Sequence, residues 1–264
     1  RTLSSFPQGR QAIARAALAH RTRLAQAATP EAHHNVDGYA METDEGNGLE
    51  EEEEKEGEAS DEPTTFQKQT VILVSGEDKR TEFLKLVHEM MEKQSGQRQK
   101  SKIIVLVNNF ESAKALVPAI ATKKSITKSK GRFITGSKGR VVESKGVVLL
   151  NKKDTESAME GFKSGKFNIL VTTEADLSVL WEMRKMISMV INYDLPKNMA
   201  AYRHRARFAG TDNGAVPRTV VSFFTPTESN VAFAPDLVDY IQNGPSKSDL
   251  PPTLLEIADM ARPK

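Results

Sequence analysis

The sequence predicts an α/β fold in which a mainly parallel sheet lies between helices on both faces, preceded by an extended N-terminal arm. Three observations lead there. Six short apolar runs, rich in β-branched residues, recur between residues 71 and 224. They are apolar at consecutive rather than alternate positions, as strands buried on both faces require. Segments with helical apolar spacing separate them, which is the pattern of βαβ units.

The runs are VILV (71–74), KIIVLV (102–107), GVVLL (146–150), NILVTT (168–173), MVINYD (189–194) and TVVSFF (219–224). Between them, Phe83, Leu84, Val87 and Met90 recur on one helical face. Ala113, Leu116, Val117 and Ile120 do the same, and so do Leu237, Val238 and Ile241. No internal repeat is present.

Composition narrows the class. The chain has 264 residues, 38% hydrophobic and 27% charged, which suits one large domain with polar extensions. No stretch approaches the ~18 apolar residues of a membrane span, so no membrane partner is expected. The absence of cysteine excludes disulfides, thiolate zinc sites and cysteine nucleophiles. The net charge of +2 conceals an asymmetry: +3 on residues 1–40, −11 on 41–65 and +10 on 66–264. A basic body with an acidic arm points to a polyanion, with nucleic acid the usual one. A solvated basic surface is the competing reading.

Three domains follow: a basic arm (1–40), an acidic low-complexity linker (41–65) and an α/β domain (66–264) with a basic insertion at 122–145. Residues 1–30 carry arginine, serine and alanine and no acid. That composition fits two readings, an organelle transit peptide or its remnant and an ordinary amphipathic helix. The linker, with GLEEEEEKEGEASDEP, cannot bury enough apolar surface to fold alone.

The insertion TKKSITKSKGRFITGSKGRVVESK sets Lys123, Lys124, Lys128, Lys130, Arg132, Lys138, Arg140 and Lys145 against Glu143 alone. Flexible cations of this kind neutralise phosphates without reading sequence, and these eight are candidate RNA-binding residues. A solvated loop is the alternative. No metal-ligand spacing and no nucleophile-elbow context occurs, so no metal and no cofactor is expected.

QKQTVILVSGEDKRTEFLKLV, KSKIIVLVNNFESAKAL, MEGFKSGKFNILVTTEADLS, MVINYDLPKNMAAYRHR, TVVSFFTPTESN and DLPPTLLEIADMA occur in that order. From about Gln67 to Ala261 the chain thereby resembles the second, C-terminal RecA-like lobe of DEAD-box RNA helicases, with degenerate motifs. The resemblance implies a RecA-like three-layer sandwich and RNA as a partner. The family's first lobe supplies the phosphate cradle and metal-holding acid, and neither G-x-x-x-x-G-K-[ST] nor D-E-A-D occurs here.

The family's sixth motif, H-R-x-G-R-x-x-R, sends its last two arginines to the ATP phosphates. His204 and Arg205 match it, but Arg207 replaces the glycine, Phe208 the next arginine and Thr211 the last. The fifth motif, A-T-D-x-x-x-R-G-x-D, falls on Thr172, Thr173, Glu174, Ser178, Val179 and Trp181, with Trp181 in place of the ribose-binding aspartate. Thr173 is its retained RNA-contacting residue. Trp181 reads as a core or interface aromatic, forming an apolar patch with Leu177, Val179 and Leu180. His204 and Arg205 read as packing and ion-pair residues. The family's Q-x-x-R falls near Lys152 and Thr155 and lacks its arginine.

These departures lead to the expectation of a non-enzyme. It is a catalytically inactive helicase-like protein serving as a structural RNA- and protein-binding component of a ribonucleoprotein particle, in mitochondria and specifically the mitochondrial ribosome. Two other readings stay open: an ATP-dependent RNA helicase fragment completed by a missing first lobe, and a protein-only regulator of a helicase.

Overall fold

The computed structural model describes residues 67–93, 101–121, 143–144, 146–150, 155–209, 218–244, 248 and 250–262, with residues 14, 15, 18, 19 and 22 of the arm. Most of the arm, the linker and nearly all of the basic insertion therefore lie outside the described residues.

Among the described residues, seven strands form one sheet: β1 (Gln67–Leu73), β2 (Lys102–Val107), β3 (Glu143–Ser144), β4 (Gly146–Leu149), β5 (Phe167–Thr173), β6 (Ile187–Asn192) and β7 (Arg218–Phe224). Their order is β1-β7-β6-β2-β5-β4-β3. Six of them run parallel, and only the short β3 is antiparallel, pairing Glu143 with Val148 and Ser144 with Val147. Glu143 and Ser144 of the predicted insertion thus enter the sheet edge, because β4 leaves one side open to pairing.

The helices are α1 (Lys79–Lys93), α2 (Phe110–Ala121), α3 (Thr155–Ser164), α4 (Met199–Arg207), α5 (Glu228–Gln242) and α6 (Pro252–Ala261). A 3-10 segment, Ser178–Met186, precedes β6. Polar residues start several of these elements. The Asn109 Oδ1 accepts from the Ser112 N–H at 2.7 Å, and Asn198 Oδ1 from Ala201 N–H at 2.9 Å. Each satisfies a backbone donor that the first helical turn leaves unpaired.

Consecutive apolar residues divide between the two faces of the sheet. Ile103, Val105 and Val107 of β2 join Phe83 and Val87 of α1 and the apolar face of α2. Ile104 and Leu106 turn to the opposite side, with Phe162 of α3 and Ala206 and Phe208 of the α4 end. All six residues of β2 are buried, as befits the central strand. Val71 and Phe224 pack under α5 and α6 in a third cluster.

β1 begins four residues ahead of its apolar run. Its ladder with β7 starts at Gln67 opposite Arg218, so backbone pairing rather than side-chain burial sets that end. On its outer side, Ser248 Oγ accepts the Gln69 N–H at 3.0 Å. A buried polar row crosses the sheet here. Tyr202 O–H lies 3.0 Å from Gln69 Oε1 and 3.2 Å from Ser222 Oγ, and Asn192 Nδ2 donates to Ser222 Oγ at 3.1 Å. Burial pushes the Tyr202 phenol well above its ordinary range, so it stays a neutral donor.

α3 packs so closely on β5 that a Cβ on Gly161 would overlap the Phe167 ring. Gly161→Ala is expected to lower stability by about 2 kcal/mol, the cost of overpacking a filled site. Chemical denaturation checks it, and an unchanged midpoint would mean that Phe167 yields freely.

Candidate functional site

The strand order reverses about β2, with β5 and β4 on one side and β6 and β7 on the other. In open parallel sheets, ligands bind in the crevice outside the carboxyl ends of the strands at such a reversal. Here that crevice is built from Asn108 after β2, Thr173 and Glu174 at the end of β5, and Asp194 after β6.

Arg205 of α4 ties these ends together. Its Nε donates to Glu174 Oε2, its Nη1 to the Asp194 carbonyl at 2.8 Å and its Nη2 to Asn108 Oδ1 at 3.1 Å. Only 2% of its side chain is exposed. A planar fork of five donors suits three acceptors held in fixed directions. His204 Nδ1 stands 2.8 Å from Glu174 Oε1. Burial alone would raise the Glu174 carboxyl, but hydrogen bonds and charge from His204 and Arg205 outweigh it and hold it below the usual carboxylate range.

A second polar group flanks the first. Lys79, at the start of α1, reaches Asp194 Oδ1 at 2.5 Å and lies 4.4 Å from the Tyr193 ring centroid. The Asn108 N–H donates to Asp194 Oδ2 at 3.1 Å, and its Nδ2 to the Leu195 carbonyl at 2.8 Å. Asp194 therefore holds both a lysine and the turn after β2. Lys79, Asn108 and Asp194 were not singled out in the sequence. The available signal was an aspartate and an asparagine, each just past the end of a buried strand.

The sequence-predicted residues fall into three groups. Thr173, Glu174 and Arg205 meet in the crevice, where Thr173 Oγ1 donates to Asp176 Oδ2 at 3.1 Å. Ser178, Trp181 and Phe208 belong to the flank of α4 and the 3-10 segment, beside the polar network rather than within it; Arg207 is half-buried on α4. Lys123, Lys124, Lys128, Lys130, Arg132, Lys138, Arg140, Lys145 and Thr211 lie outside the described residues, as does Lys152.

Phe208 is fully buried, with ring contacts at 5.5 Å to both Trp181 and His204. The expected apolar patch divides. Leu177 and Leu180 are buried in the core, whereas Val179 and Trp181 are exposed at 41% and 42%. The cause is the tight coil of the 3-10 segment, which turns every third residue inward. Among the described residues no three metal-ligating side chains cluster, and no helix is long and apolar enough to cross a membrane.

A parallel sheet between helical layers, with a polar crevice at its reversal point, defines a RecA-like α/β domain. Residues 79–209 match the helicase conserved C-terminal domain, and the chain is similar to the C-terminal RecA-like lobe of DEAD-box RNA helicases. It is 27% identical over 190 residues to the ATP-dependent RNA helicase DBP2 of Pyricularia oryzae, covering 72% of this chain and 30% of that protein. It is 28% identical to the Chaetomium thermophilum DBP2 over the same length, with 29% of that protein covered. The yeast DEAD-box splicing factor Prp28 superposes with a TM-score of 0.49 at 17% identity, over 74% of this chain and 37% of that one. The chain thus spans about 30% of the length of the curated relatives it matches.

These relatives overturn the expectation of a non-enzyme: they are named ATP-dependent RNA helicases, which are enzymes, and this chain matches one lobe of them. The expectation was drawn from altered motif positions in this lobe and from the missing first-lobe motifs, G-x-x-x-x-G-K-[ST] and D-E-A-D. The chain covers 30% and 29% of these two relatives, so altered positions within that span do not decide the class.

Proposed function

We propose that this chain is the RNA-engaging lobe of a helicase-family protein and works within a ribonucleoprotein particle. The observation that carries the reading is the Arg205-braced crevice at the strand ends of a helicase C-terminal lobe whose α/β body carries +10. Backbone and polar groups of such a crevice suit a sugar–phosphate strand, and the lysines of 122–145 supply phosphate contacts that do not read sequence. The proposed particle is the mitochondrial ribosome. The arginine-rich, acid-free residues 1–30 support the compartment, and the acidic 41–65 segment supports contacts with basic proteins.

Co-sedimentation from organelle and cytosolic lysates, with and without ribonuclease, tests the reading. Ribonuclease-sensitive sedimentation with mitochondrial ribosomal RNA is the expected result; sedimentation indifferent to ribonuclease sinks it. Replacing Lys123, Lys124, Lys128 and Lys130 with alanine is expected to reduce the salt dependence of RNA binding. The log–log slope falls by about 0.7 for each phosphate that the variant no longer neutralises. An unchanged slope would clear those lysines of the role.

The share of the relatives that this chain covers favours a second reading, in which a first RecA-like lobe completes an ATP-dependent RNA helicase. RNA-stimulated ATP hydrolysis upon mixing with such a lobe supports it, and no stimulation counts against it.

A further inference from the structure

Trp181 is the chain's single tryptophan. Leu180 and Met183 beside it are buried, as Leu177 is, yet 42% of Trp181 meets solvent. Its position is fixed by packing. The Phe208 ring stands at 80° to it with centroids 5.5 Å apart. The Arg184 guanidinium lies 4.4 Å from the indole centroid, and its Nη1 donates to the Trp181 carbonyl at 3.1 Å. Lys185 is exposed next along the chain. A rigid indole with the Arg184 guanidinium over one face, the rest half-open and Lys185 next along the chain, is an element with which single-stranded nucleic acids are held. As a protein-docking surface the region is poor: its exposed apolar residues, Val179, Trp181 and Met186, are interrupted by Glu182, Arg184 and Lys185.

We propose that Trp181 stacks an unpaired nucleobase, while Arg184 and Lys185 neutralise the phosphates adjoining it. A base within RNA is the source that follows from the proposed function, on which this inference rests to that extent. A free nucleotide offers the same chemistry. Stacking is sequence-tolerant because every base presents a π face, so this contact adds affinity without selecting a sequence.

Because Trp181 is the only indole, its emission reports on this site alone. The full chain is titrated with a short uridine oligonucleotide and, separately, with AMP, while binding of a labelled oligonucleotide is followed by anisotropy. The expected result is quenching by the oligonucleotide, an affinity loss of about tenfold in Trp181→Ala, and near-normal affinity in Trp181→Phe, which keeps a stacking ring. Quenching by AMP without oligonucleotide binding supports the stacking site, assigns it to free nucleotides and removes the RNA reading. An oligonucleotide that binds with unchanged emission, together with silence to AMP, overturns the stacking site and leaves the RNA reading standing. Silence and no binding in both arms overturns both. The wild-type titrations need no variant to fold.

Discussion

Arg205→Ala is expected to destabilise the lobe by about 3 kcal/mol or more, the scale for removing one partner of a buried charge pair. The side chain is 2% exposed and meets acceptors on three separate strand ends. Its loss leaves the Asp194 carbonyl, Asn108 Oδ1 and Glu174 without their shared donor, and unmet buried acceptors each carry a desolvation cost. Arg205→Lys keeps the charge but replaces a planar fork with a point donor, so a loss of about 2 kcal/mol is expected. Glu174→Gln should cost less, about 1 kcal/mol, since a third of that carboxylate faces water, which screens it. Urea denaturation of the three variants orders them. Arg205→Ala and Glu174→Gln destabilising equally would mean that the carboxylate, not the three-way brace, matters.

Acid adds a check on the same group. The Glu174 carboxyl titrates lower in the folded chain than in the unfolded one, because hydrogen bonds and charge from His204 and Arg205 outweigh the opposing effect of burial. Its stabilisation is therefore fully present above the unfolded carboxylate value of ~4.3 and is lost as pH falls through the lowered folded value. The gap between the wild type and Glu174→Gln should hold at neutral pH and close in acid. A gap that widens on acidification would contradict the hydrogen-bonding pattern around Glu174.

The fold was legible because the strands announce themselves locally. KIIVLV and NILVTT are apolar at consecutive positions, and only burial on both faces accounts for that. The brace was not legible, since it joins residues that no periodicity relates. Arg205 lies 97 positions from Asn108 and 31 from Glu174, and only strand order brings them together. The Trp181 patch failed for a local reason: it was drawn from four apolar neighbours, and the 3-10 coil sent Leu177 and Leu180 inward.

Phe208→Ala is expected to cost about 3–4 kcal/mol, as truncating a fully buried phenylalanine does. Phe208 stands where the family motif carries an arginine, and here it belongs to the same core cluster as Leu180, Met183 and Val220. Two rings lean on it, Trp181 and His204, at 80° and 84°. Truncation should therefore shift Trp181 emission to the red as well as lower the denaturation midpoint, while Phe208→Leu, which keeps most of the volume, should cost under ~1.5 kcal/mol. The sharpest variant is Phe208→Arg, which restores the family residue. A guanidinium among apolar neighbours must either go unpaired or force the chain open, so it should destabilise at least as much as alanine does. If Phe208→Arg is instead as stable as the wild type, the α4 end has room to turn a cation outward. The burial of Phe208 would then be a packing convenience and not a constraint on what this lobe can present to a nucleotide.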